Sequence, residues 1–119
     1  MKKIDKDKIK AFLKKIETTL CGETVYVTEW TSGKRAEYEA FVRSYKGQPI
    51  DPNEHRQLIF KLSVVDGNDV PFEYDTDYPF LEIDRIEDIA TGLNVYTEKV
   101  REALKKGLTQ TDGTTSQPA

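Results

Sequence analysis

Residues 58–72 read LIFKLSVVDGNDVPF, and the reading of this stretch decides the fold. It is the densest apolar run in the chain, closed by Asp66-Gly67 and followed by a proline and an aromatic. Two periodicities compete in it. Leu58, Ile59, Leu62 and Val65 recur at helical spacing, while Leu58, Phe60, Leu62 and Val64 fit one face of a strand. The β-branched and aromatic side chains favour the strand. Just upstream, Asp51-Pro52-Asn53-Glu54 is a helix start, with Asp51 as cap, Pro52 at the first helical position and Glu54 completing the capping box. The cap decides for a helix, and Asp66-Gly67 ends it.

Downstream, Val70-Pro71-Phe72 reads as a short extended piece, because residues before proline avoid helical angles. Residues 73–79 read as a loop. Asp84 and Glu87 cap a short helix over 85–91 that Gly92 ends. Asn94 caps a last helix through Lys106, and residues 108–119 form a disordered polar tail.

Upstream, residues 24–31, TVYVTEWT, predict a strand. Thr31-Ser32-Gly33-Lys34 is a turn, and residues 35–46 predict a helix with Tyr38, Phe41, Val42 and Tyr45 on one face. At the N-terminus, Ile9, Phe12, Leu13, Ile16 and Leu20 predict an amphipathic helix over 6–20, capped by Asp5 and stopped by Gly22. The expected fold is α+β and predominantly helical, with four to five helices and a small β element near residues 24–31. Residues 1–107 form a single globular domain, and 108–119 the tail.

A chain of 119 residues suits one core. Its net charge of −3 argues against a dedicated nucleic-acid binder. The lysines clustered between Lys2 and Lys15 read as the solvated face of the first helix. One cysteine, Cys21, leaves no intrachain disulfide and fits a reducing cytoplasm. No run is apolar enough to span a membrane.

Residue types that carry chemistry are sparse. His55 is the sole histidine and reads as a surface residue. Together with Cys21 it cannot supply a zinc ligand set. The acidic run Asp66, Asp69, Glu73, Asp75, Asp77 lacks the glycine at the sixth position of a calcium loop. Thr31-Ser32-Gly33-Lys34 lacks the leading glycine of a phosphate loop. No enzyme and no cofactor is expected. The expected protein-binding residues are aromatic: Trp30, Phe72, Tyr74, Tyr78 and Phe80. Core packing is the alternative reading for Trp30, and folding back onto the core the alternative for the aromatics of 74–80.

The order of features resembles the tail assembly chaperones of long-tailed bacteriophages. The carriers are Val27-Thr28-Glu29-Trp30-Thr31-Ser32-Gly33, a helix from Arg35 to Tyr45, and Arg56-Gln57-Leu58-Ile59-Phe60 running into Ser63-Val64-Val65-Asp66-Gly67. Val70-Pro71-Phe72 and two short helices, 85–91 and 95–106, complete the match over residues 23–107. The turn in SVVDGNDVPF is one or two residues longer than the usual form.

This resemblance implies a non-virion protein of the host cell cytoplasm. Such a chaperone keeps the tape measure protein soluble and recruits the major tail (tube) protein. A homo-oligomer, such as an open spiral, would let a small domain cover a long rod. Many such families also make a longer, frameshifted product. The competing classes are a small regulatory protein-binding module and a nucleic-acid-binding accessory protein using the lysine-rich first helix.

Overall fold

The computed structural model describes residues 1–96. The elements run α1 (Lys6–Phe12), β1 (Lys15–Leu20), β2 (Glu23–Thr28), α2 (Ser32–Ser44), α3 (Pro52–Ser63), β3 (Val64–Val65) and α4 (Phe80–Asn94). The architecture is α+β: among the described residues, four helices and a small antiparallel sheet of strand order β1-β2-β3.

The largest departure from expectation is at the N-terminus, where the helix expected over 6–20 is a short helix followed by a strand. Residues 15–20 carry Ile16, Thr18 and Thr19, which suit a pleated surface. Cys21 and Gly22 both take left-handed φ, 52° and 85°. That is the geometry of a two-residue hairpin turn, so Gly22 makes a chain reversal rather than a helix stop. The register follows, with Leu20 opposite Glu23, Thr18 opposite Val25 and Ile16 opposite Val27.

At residues 58–72 the cap prevails. The Asp51 carboxylate accepts from the Glu54 N–H, Pro52 opens α3, and the helix runs to Ser63. The strand propensity is realised only at Val64–Val65, where Val64 pairs with Val27 and Val65 with Tyr26. The chain then turns at 66–69, and Pro71 bridges back to Val65. Asp66 holds this turn by accepting from the Asn68 and Val70 N–H groups at 2.7 and 3.0 Å.

The helix expected over 85–91 is longer at both ends. It starts at Phe80, and its N-cap Pro79 makes no side-chain cap bond. Asp84 is therefore inside the helix, as is Gly92. Asn94 is the last residue of α4. Of the helix expected over 95–106, Val95 and Tyr96 instead close α4 with N–H bonds to the Thr91 carbonyl, and residues 97–106 and the polar tail lie outside the described residues.

The core lies between one face of the sheet and the pair α3 and α4. Val25, Val27 and Val64 on the sheet meet Ile59, Phe60 and Leu62 of α3 and Ile83, Ile86 and Ala90 of α4. All nine are buried; α4 contributes its residues at three- and four-residue spacing, and α3 contributes Ile59 and Leu62 one turn apart with Phe60 beside them. α2 lies to one side and contributes Tyr38, and Trp30 joins the same cluster. No described helix is long and apolar enough to cross a membrane.

Candidate functional site

Five aromatics were expected to form a binding surface, and the structure distributes them over three environments. Trp30 is in the core, 7% exposed, so the core reading holds and it offers no anchor to a partner. Its indole N–H donates to the Ser63 hydroxyl at 2.7 Å, and its ring lies 5.0 Å from that of Tyr38. Its backbone N–H donates to the Asn94 side-chain oxygen at 2.7 Å, while the Asn94 amide donates to the Thr28 carbonyl at 3.0 Å. Asn94 thus clips the chain leaving β2 to the end of α4.

Phe72, Tyr74 and Tyr78 are half-buried and fold back against the core. The Phe60 ring receives Tyr74 edge-on at 5.4 Å and stacks on Tyr78 at 6.2 Å. Burial pushes the Tyr78 phenol above its ordinary pKa. Phe80 is 59% exposed, with the Arg56 guanidinium 5.2 Å from its ring centre, and its neighbour Leu81 is 76% exposed.

Phe72 and Tyr74 meet at a cleft of about 610 Å³ between α2, α3 and the segment after β3. Its apolar wall is Phe41, Leu58, Pro71, Phe72 and Tyr74, and Glu54, Gln57, Lys61 and Glu73 supply the polar lining. That volume lies within the usual range of ligand sites, about 300–1,000 Å³. Two of the charges are already engaged. The Glu54 carboxylate accepts from the Tyr45 hydroxyl, a bond that raises the Tyr45 pKa, and Lys61 pairs with Glu37 at 2.8 Å. Glu73 has no side-chain ion pair among those found in the described residues. Phe41 and Leu58 were legible in sequence only as helix-face residues. Their meeting with Phe72 depends on the path after β3.

Beside the cleft, His55 is half-buried, which corrects its reading as a surface residue. Its Nδ1 lies 2.7 Å from Glu87 and its Nε2 2.9 Å from the Tyr38 hydroxyl. An ionised carboxylate only accepts, so Nδ1–H donates to Glu87; in the neutral tautomer this selects, Nε2 accepts from the Tyr38 hydroxyl. Arg56 donates to the other Glu87 oxygen at 3.4 Å. This chain ties α2, α3 and α4 together. Tyr38 is buried, which raises its pKa and keeps the phenol a proton donor. The array braces the three helices against one another.

Across the molecule, Asp69 takes a left-handed φ of 63° and faces Lys15 and, at 4.0 Å, Lys10. The Lys15 hydrogen bond lowers the Asp69 pKa. Among the described residues, no group of three or more His, Cys, Asp or Glu is placed to hold a metal ion.

No protein-family model, curated protein or solved structure matches this chain.

Proposed function

We propose that this chain is a tail assembly chaperone of a long-tailed bacteriophage, acting in the host cell cytoplasm. It binds apolar segments of the tape measure protein, keeps them from aggregating and recruits tube subunits around them. In this reading the fold is predominantly helical, and the protein has no active site to maintain.

The observation that supports the reading is the cleft. Phe72 and Tyr74, singled out from sequence, line it together with Phe41 and Leu58. An apolar wall with charges at its rim suits the apolar stripe of an amphipathic helix, and a tape measure protein is a long succession of such stripes. Phe80 and Leu81 add exposed apolar surface at the start of α4.

Co-expression with the tape measure protein of the same genome tests the proposal. A soluble complex that becomes insoluble when Gln57→Arg and Glu73→Arg are introduced together supports it. A tape measure protein equally insoluble with and without the chain overturns it. Isolation of a fixed one-to-one complex with a different protein would favour the regulatory-module reading instead.

A further inference from the structure

α1 has no buried residue. Ile4, Ile9 and Phe12 are 69%, 41% and 87% exposed, an unusual display of apolar surface for a segment of this length. The same segment is basic, with Lys2, Lys3, Lys6, Lys8 and Lys10 set against Asp5 and Asp7. Among the described residues, its one ion pair to the body is Lys10 with Asp69 at 4.0 Å, both partly exposed, and such pairs contribute little. The segment is a short amphipathic arm lying outside the cleft of its own chain.

The cleft has complementary character. Its wall is apolar, and Glu54 and Glu73 sit at its lining. Exposed Asp75 and Asp77 follow on the same loop, so the side near Tyr74 is acidic. Lys61, the cationic lining residue, is neutralised by Glu37.

We infer that residues 1–12 of one copy dock in the α2–α3 cleft of a second copy, Phe12 and Ile9 against the apolar wall and the lysines against the acidic loop. The inference rests on reading the cleft as a site for amphipathic helices, and it names the arm as an occupant that competes with the client. Arm and cleft are different surfaces of one chain, so the contact is head-to-tail and leaves a free arm and a free cleft at opposite ends of any chain of copies. The interface covers the apolar cleft of each copy but the last until a client displaces the arm. Attraction between lysines and carboxylates makes it weaken as salt rises.

The test uses two full-length variants whose substitutions are all at exposed positions. Phe12→Asp destroys the arm and keeps the cleft. Gln57→Arg with Glu73→Arg reverses the cleft charge and keeps the arm. Light scattering after size exclusion should show concentration-dependent oligomers for the parent. Each variant alone should associate at least about tenfold more weakly. Mixing the two should restore a capped one-to-one dimer that grows no further.

A parent that stays monomeric to about 1 mM overturns the inference. So does association that survives Phe12→Asp, or a mixture in which no dimer returns, which would place the arm in its own cleft or elsewhere. Circular dichroism on each variant separates loss of contact from loss of fold. The chaperone reading is judged apart, by solubility of the tape measure protein. A monomer that still solubilises it sinks the inference and leaves that reading standing.

Discussion

The two ends of α4 meet the rest of the molecule in opposite ways. At its C-terminal end, Asn94 is 5% exposed and its amide exchanges two hydrogen bonds with the backbone of Thr28 and Trp30. At its N-terminal end, Pro79 makes no side-chain cap bond, and Phe80 and Leu81 face solvent. One end satisfies buried polar groups with apolar packing around them. The other leaves apolar groups in water beside an arginine. Stability is concentrated where polar atoms are buried and paired, and contact surface where apolar atoms are not buried. The contrast puts a buried polar clip and an exposed apolar pair on one helix, about 21 Å apart at the helical rise.

The largest effect should come from Asn94→Ala. It strands the Trp30 N–H and the Thr28 carbonyl in the interior and should cost about 2–4 kcal/mol, read as a fall in the urea midpoint. A loss under about 1 kcal/mol would mean that water replaces the clip and that the two ends are alike. Ser63→Ala removes one acceptor, that of the Trp30 indole, and should cost about 1–2 kcal/mol in the same assay, with a change in tryptophan emission.

Smaller and of opposite sign is Gly92→Ala. Among the described residues a methyl group there meets nothing within 4 Å, and a helical glycine is worth about 1 kcal/mol less than alanine, so the midpoint should rise.

The acid limb offers a subtler measurement. The Glu82 carboxylate accepts from the Cys21 N–H at 3.1 Å and pairs with Arg85, and both hold its pKa below the ordinary carboxylate value. A depressed folded-state pKa stabilises the fold above the unfolded value, about 4.3, and that contribution fades as pH falls through the folded value. Glu82→Gln should therefore lower stability near neutrality and narrow the gap between neutral and acid midpoints. An unchanged gap would show that this hairpin contact is not formed in solution. Least of all, Leu81→Ser should move the midpoint by no more than about 0.5 kcal/mol, since the side chain is already in water.

The sequence predicted α3 well because capping is local chemistry. Asp51, Pro52 and Glu54 act within one turn, and that turn settled an apolar run whose periodicity was ambiguous. The strand at β2 is legible from its β-branched residues, but it ends at Thr28 rather than at residue 31, and Thr31 instead caps α2. The N-terminal helix was overextended because Ile9, Phe12, Ile16 and Leu20 hold helical spacing by coincidence. What ends it is pairing with β2, a contact with a partner strand that periodicity within one segment does not encode. Gly92 reads in sequence as a helix stop, whereas α4 runs on to Asn94, whose side chain is held by the backbone of Thr28 and Trp30.

The candidate site was partly legible. Phe72 and Tyr74 were singled out as loop aromatics, but their neighbours Phe41 and Leu58 come from two helices whose approach is a tertiary event. Trp30 looked the same in sequence whether anchor or core. Its fate is set by Ser63 and Asn94, 33 and 64 residues away.

The joint between α1 and β1 has a consequence of its own. Lys14 donates to the Glu29 carboxylate at 3.0 Å and accepts from the Glu29 N–H at 2.8 Å, so the backbone is fastened at Lys14 just after the arm ends. Trypsin cuts after lysine in unfastened chain. It should clip the arm at Lys2 to Lys10 and halt before the hairpin, leaving a trimmed body whose edge is sharp on a mass spectrum. That fragment would be the cleft without its occupant, prepared by digestion rather than by mutation.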